Sequence, residues 1–200
     1  MDDVALAVRS VNRLLERRGL PELDLETYRR VFRFPVSDYY ADVGIDLTSD
    51  DMSAVSDEFH EGYLAGVTAC GMHKGTLPLL ERYSVAGIRQ YVLSAAEEGM
   101  LLEWVGMLGI GRFFDGVYGL PDRLAATKLD RGHDLVATHH LNVTRTAFIG
   151  DTDHDVEVAQ ALGCRPVLVA CGHQDRQRLL ATGAQVCGSF QVLLNGSATY

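Results

Sequence analysis

The sequence predicts an α/β fold, a parallel sheet with helices on both faces, preceded by an all-helical unit. Three observations predict it. From about residue 73 onward, short apolar runs alternate with helical patterns, as in strand–helix–strand units. Up to about residue 69 only helical periodicity is present. Residues 145–163, RTAFIGDTDHDVEVAQALG, read as a buried strand, an acidic turn and a helix. Such turns lie at the carboxyl ends of strands, where open α/β sheets place their ligands.

The helical unit is legible in order. Val4 to Arg18 puts Val4, Ala7, Val8, Val11, Leu14 and Leu15 on one stripe, with Gly19 as its stop. Leu20-Pro21 breaks the chain, and Asp24 caps a helix over Leu25 to Phe32. Pro35 punctuates, a short helix runs Val36 to Val43, and Ser49 or Asp50 caps a long one over Met52 to Ala65. Residues 1–69 thus form one unit and residues 70–200 the α/β core.

In the core, Thr76 to Tyr83 is helical and Ile88 to Ser94 is a strand around Tyr91-Val92-Leu93. Ala95 to Leu108 is a helix, Val117 to Gly119 a short strand, and Leu129 to His140 a helix. After the acidic turn come a strand over Pro166 to Ala170, a helix over Asp175 to Thr182, a strand over Gln185 to Cys187 and a frayed tail, Asn195 to Tyr200.

Composition excludes several functions. A net charge of −9 argues against a general nucleic-acid or membrane-surface binder. No apolar run approaches a membrane span, and the acidic opening Met1-Asp2-Asp3 is no signal peptide. The four cysteines, Cys70, Cys164, Cys171 and Cys187, are scattered without a CxxC pair and read as reduced thiols of a cytoplasmic protein. Small anionic substrates stay open, because a metal ion inverts the local field.

Three places carry candidate chemistry. In the acidic turn, Asp151, Asp153 and Asp155 fall within five residues, and a hard cation such as Mg2+ would relieve their repulsion. Helix capping accounts for one Asp there, but less readily for Asp151 and Asp155 four apart after a buried strand. Ser94 follows a strand and precedes a helix, where a hydroxyl binds an anion or caps the helix. Lys128, in Ala125-Ala126-Thr127-Lys128-Leu129, is a point charge for a phosphate or a carboxylate.

In this order, Ser94 in VLSA, Lys128 in ATKLDRG and the Gly150-Asp151…Asp155 turn, the chain resembles the haloacid dehalogenase-like (HAD) phosphatases, and among them the phosphoglycolate phosphatase-like group. The resemblance spans essentially the whole chain and implies a Rossmann-like core with a helical cap, matching residues 4 to 69. It implies Mg2+ held by Asp151 and Asp155, and phosphate oxygens held by Ser94 and Lys128. Asp155 would hold a metal-bound water or orient Lys128, and the substrate would be a small phosphorylated metabolite. A dehalogenase is less expected, since that chemistry has no use for a metal.

One departure stands out. The family's first motif, D-x-D-G-T on the first strand, supplies the nucleophilic aspartate, and nothing like it is present. In the family that strand is central, between the strands carrying Ser94 and Asp151. Burying about four apolar side chains there stabilises by roughly 6–12 kcal/mol, comparable with a net folding free energy of about 5–15 kcal/mol. A start-site truncation is therefore the favoured account, and a non-catalytic metal- or phosphate-binding relative is the rival. A receiver domain is disfavoured, because its acidic cluster precedes its lysine and it has no long helical insertion.

The other candidates read as structural. Trp104 shares helical spacing with Met100, Leu101 and Leu108, and His139 and His140 suit a helix carboxyl end. His154 in the turn, Arg33 and Tyr39 in the helical unit, and the pair His73 and Lys74 are outside candidates for touching substrate.

Overall fold

The computed structural model describes residues 1–121 and 127–196. Ala125 and Ala126, read as flanking Lys128, and the end of the expected frayed tail, 197–200, lie outside the described residues.

Four helices form the amino-terminal unit: α1 (Val4–Arg17), α2 (Leu25–Val31), α3 (Val36–Asp42) and α4 (Met52–Val67). The stripe expected on α1 faces inward, and Leu14, Leu15, Tyr28, Tyr39, Ile45 and Val55 pack into one buried cluster. Burying each such side chain stabilises by about 1.5–3 kcal/mol. Asp24 caps α2 as expected, accepting from the Thr27 N–H at 2.7 Å. The cap of α4 differs: Asp51, not Ser49 or Asp50, accepts from the Ser53 N–H. Asp50 is instead drawn to Arg18, 2.7 Å away. Trp104 packs against Leu6, Tyr63 and Val67, so it seals the seam between the unit and the core.

The rest alternates as the sequence predicts: α5 (Thr76–Val85), β1 (Tyr91–Glu97), α6 (Glu98–Met107), β2 (Gly116–Leu120), α7 (Lys128–His139), β3 (Ala147–Gly150), α8 (Asp153–Leu162), β4 (Arg165–Val169), α9 (Arg176–Ala181), β5 (Gln185–Cys187) and α10 (Phe190–Gly196). All pairings are parallel. β1 runs three residues past the expected end at Ser94, through a bulge between Leu93 and Glu97. The reason is a stronger cap: Glu97 accepts from the N–H groups of both Gly99 and Met100, at 3.0 Å each, and so delays α6.

The sheet is interrupted. β1 pairs only with β2, while β3, β4 and β5 form a second sheet. The facing edges of β1 and β3 flank an apolar slot of about 120 Å³, lined by Tyr91 and Leu93 on one side and Ala147 and Phe148 on the other. Helices α7 and α8 pack on each other and contribute Leu135 and Leu162 to its lining. Burial follows the break. Val167, Leu168 and Val169 of β4 are buried, whereas every residue of β3 is only half-buried. Strands of a parallel sheet are normally covered on both faces and paired on both edges. Among the described residues no helix is long and apolar enough to cross a membrane.

The two units interlock through residues 171–178, the segment after β4. Arg29 Nε donates to the Gly172 carbonyl at 2.9 Å, and the Asp175 N–H donates to the Arg29 carbonyl at 3.1 Å. Gln174 Nε2 and Arg178 Nη1 both donate to the Phe32 carbonyl, at 3.1 Å each. The Tyr28 hydroxyl and His173 Nδ1 share a hydrogen bond of 2.8 Å. His173 Nε2 lies 3.7 Å from an Asp3 oxygen, and the Tyr63 hydroxyl donates to Asp3.

Burial alone would raise the Asp3 carboxyl, but His173 and Tyr63 outweigh it and hold it at about 2. Burial likewise disfavours a charged His173, and the Asp3 hydrogen bond and the Asp151 charge more than offset it, so that imidazole is raised. A raised histidine contributes stability that is complete below its unfolded value of about 6.5 and is lost as pH climbs through the folded value. Asp3 contributes in the opposite sense, above about 4, and its share is lost as pH falls toward 2. Asp3→Asn should therefore cost about 1–2 kcal/mol in urea unfolding at pH 5.5, with a smaller penalty at pH 9; an equal penalty at both would show that the pair does not hold the seam.

Candidate active site

The acidic turn folds around Asp155. Thr152 caps α8, and Asp155, three residues on, completes a capping box. Its Oδ2 accepts from the N–H groups of Asp151 and Thr152 and from the Thr152 hydroxyl, at 2.9, 3.0 and 2.9 Å. Its Oδ1 takes Lys128 Nζ at 2.6 Å. Burial alone would push this carboxyl up, but the Lys128 charge and these hydrogen bonds hold it below the usual range. Gly150 closes β3 where a side chain would overlap Asp155, so only glycine lets the strand end this close to the carboxylate.

Lys128 opens α7, where the helix dipole disfavours a cation. Its compensation is Asp155, with the Phe148 ring 5.4 Å from the ammonium. Thr127 and Asp130 form a second capping box that fixes the start of α7 and so the root of the lysine.

The three carboxylates are held by separate partners. Asp155 has Lys128. Asp153 accepts from Gln174 Nε2 at 2.8 Å and pairs with Arg178 at 2.7 Å. Asp151 Oδ2 accepts the His173 N–H at 2.7 Å, while its Oδ1 has no hydrogen bond among the described residues. The repulsion expected from the sequence is thus relieved largely by cations of the protein itself. One oxygen, on Asp151, is left as a hard donor. Among the described residues no three His, Cys, Asp or Glu side chains converge as a ready metal cage.

Of the sequence-predicted residues, the structure brings Lys128, Asp151 and Asp155 together. Ser94 lies in the β1 bulge, not at a helix cap, and its Oγ accepts the Ala96 N–H at 3.1 Å. Sequence reading missed the segment Cys171 to Arg178, which supplies the N–H for Asp151 and the partners of Asp153. Its available signal was Gly172 two residues past a strand: a Cβ there would collide with Asp151.

The outside candidates have other occupations. Arg33 pairs with Asp42 at 2.6 Å, and Tyr39 is 1% exposed inside the helical cluster. His154 stands 3.0 Å from Glu157 and packs on Phe34. His73 lies 3.5 Å from Asp2, and His139 meets the Tyr118 hydroxyl at 3.1 Å rather than only ending a helix.

Removing one member of a buried ion pair strands the other, at a cost of about 3–5 kcal/mol. Lys128→Gln should lose about 3 kcal/mol of stability at pH 7, and the deficit should shrink below pH 4 as Asp155 takes a proton. A pH-independent deficit would mean that packing, not charge, is what the lysine supplies. Gly172→Ala should leave the strands intact yet displace Asp151, visible as loss of the His173 amide's protection from exchange.

Residues 125–193 match the sequence model of the HAD-hydrolase-like family. No curated protein sequence matches the chain. Among solved structures, a haloacid dehalogenase-like hydrolase from Streptococcus pneumoniae superposes with a TM-score of 0.81 at 23% identity, covering 96% of this chain and 91% of its own. A predicted phosphoglycolate phosphatase from Haemophilus somnus gives 0.71 at 18% identity, with 96% and 91% covered. Protein Tyrosine Kinase A from Mycobacterium tuberculosis gives 0.78 at 21% identity, with 97% and 91% covered. At these identities the superpositions speak to fold: the chain has the Rossmann-like α/β fold of these haloacid dehalogenase-like structures, and its carboxyl-terminal third matches the HAD-hydrolase-like sequence model.

Proposed function

We propose that the chain is the larger part of a Mg2+-dependent phosphatase that hydrolyses a small phosphomonoester through an aspartyl-phosphate, its nucleophilic carboxylate carried on a strand outside these 200 residues. One observation carries this reading: the slot between β1 and β3 opens between two unpaired strand edges, and Lys128, Asp151 and Asp155 cluster where β3 ends. A strand seated there would deliver its last residues to that cluster. The Haemophilus neighbour's description as a phosphoglycolate phosphatase supports a small phosphorylated substrate.

In the reaction, a carboxylate oxygen attacks phosphorus, the alcohol leaves with a proton, and water then releases inorganic phosphate. Lys128 spreads its charge over the phosphoryl oxygens and the attacking carboxylate. Asp155 would hold that ammonium in place through Oδ1 while the Asp151 and Thr152 donors anchor its Oδ2, and Oδ1 keeps a lone pair that a metal-bound water could use. Asp151 fits Mg2+, offering one open oxygen at the strand end, and an ion that keeps several waters needs only one or two carboxylates besides the substrate. When bound, Mg2+ would shield the phosphate's negative charge from the surrounding carboxylates. Ser94 would turn its hydroxyl from the bulge toward a phosphate oxygen. Residues 1–69 would act as a cap, interlocked with the core through residues 171–178, that excludes water and selects substrate. The four free thiols suit a cytoplasmic setting.

A second reading, a non-catalytic phosphate- or metal-binding relative, is favoured by one observation: Lys128 is already neutralised by Asp155, the one carboxylate paired with it among the described residues. The test separates the two. A form extended upstream in frame to include the D-x-D-G-T strand should hydrolyse p-nitrophenyl phosphate with Mg2+, and Asp151→Asn should abolish it. No activity above that variant sinks the phosphatase. The 200-residue chain alone should show none; Mg2+- and Asp151-dependent turnover there would refute the external nucleophile.

A further inference from the structure

We propose a second anion site, on the amino-terminal helical unit, where Arg9, Arg13 and Ser10 bind a tetrahedral oxyanion of the phosphate type. It shares no residue with the Lys128–Asp151 cluster and does not rest on the phosphatase reading. The groove between α1 and α4 forms a half-open hollow of about 120 Å³, with Leu6 and the helix glycines Gly62 and Gly66 on its wall and Arg9, Ser10 and Arg13 as its polar lining. A water occupies about 30 Å³, so the space suits one small oxyanion.

Two independent observations point to a ligand. Ser10 is 2% exposed, and its Oγ has no hydrogen-bond partner among the described residues. Left so, a buried hydroxyl costs about 1–3 kcal/mol, and Ser10 does not relieve this by bonding back to its own helix. Second, Arg9 and Arg13, one turn apart on α1, have no ion-pair partner among the described residues, although the chain carries 27 acidic against 18 basic residues. The next turn shows the contrast: Arg17 reaches Glu58 at 2.7 Å, and Arg18 reaches both Asp50 and Glu58.

Ser10 and Arg13 converge on one point, with Arg9 on the same lining. The point where Gly62 would carry a Cβ lies 3.5 Å from Ser10 Oγ and 3.4 Å from Arg13 Nη1. The absence of a side chain at Gly62 keeps that point open, and Leu6 fills the neighbouring space over Gly66. Two planar guanidinium forks and a hydroxyl offer more donors than a carboxylate's two oxygens use well. They match an anion with three or four oxygens.

The probe is inorganic phosphate, titrated by calorimetry into the 200-residue protein. Saturable binding is expected, weakened at least tenfold by the surface double variant Arg9→Gln/Arg13→Gln. Ser10→Ala should weaken it severalfold without lowering the Tm of the free protein, because it removes an unsatisfied hydroxyl. Gly62→Ala should weaken it by filling the convergence point while leaving the fold intact, its new contacts being of ordinary van der Waals length. Acetate should not compete. The proposal is overturned if phosphate does not saturate, if the double variant binds as tightly as the parent, if Ser10→Ala has no effect on affinity, or if acetate binds as well as phosphate.

Discussion

The ion pair between Lys128 and Asp155 is the interaction on which the rest of the core depends. Backbone ladders join β1 to β2, β3 to β4 and β4 to β5, but among the described residues none crosses between the two sheets. What crosses is side chain: α7 lying on α8, and the Lys128 ammonium 2.6 Å from the Asp155 carboxylate. A buried ion pair contributes little net stability over an apolar replacement, yet it is costly to break and specific in geometry. Here it sets the register of two helix starts. Both starts are also closed by capping boxes, so the pair joins two rigid ends rather than two flexible ones.

The same carboxylates connect the core to the helical unit. Asp151 accepts from the His173 amide, and Asp153 holds Gln174 and Arg178, which in turn donate to the Phe32 carbonyl of the helical unit. The acidic turn is thus a junction as much as a candidate ligand site. Anything that shifts Asp151 is felt at the seam with the helical unit through the His173 and Gln174 contacts.

Much of this was legible in the sequence. The helical stripe of α1, the cap at Asp24 and the strand–helix alternation follow from local periodicity and capping chemistry, and the grouping of Lys128 with the acidic turn follows from the family resemblance. What was not legible depends on residues far apart in the chain. For Asp155 two roles stay open in the sequence, holding a metal-bound water or orienting Lys128, and only the fold shows how close the lysine, 27 residues earlier, comes to one of its oxygens. The β1 bulge was missed because Ser94 and Glu97 are both good caps, and only the pairing with β2 decides between them. The segment 171–178 carries no motif, and its role follows from where β4 ends. The break in the sheet was foreseen as a missing motif, but the response of the structure, two separate sheets over a shared helical layer, was not.

That break has a consequence for cooperativity. A continuous parallel sheet transmits order through a ladder of backbone bonds, so its strands open together. With the ladder severed, β1–β2–α6 and β3–β4–β5–α8 become neighbouring foldons held by side chains, the packing of α7 on α8 and the Lys128–Asp155 pair. Each can fray without the other. The amides of β4, bonded on both sides, then belong to the last structure to open, while those on the facing edges of β1 and β3 exchange through local excursions. The chain's weakest line runs through the middle of its core rather than around its rim.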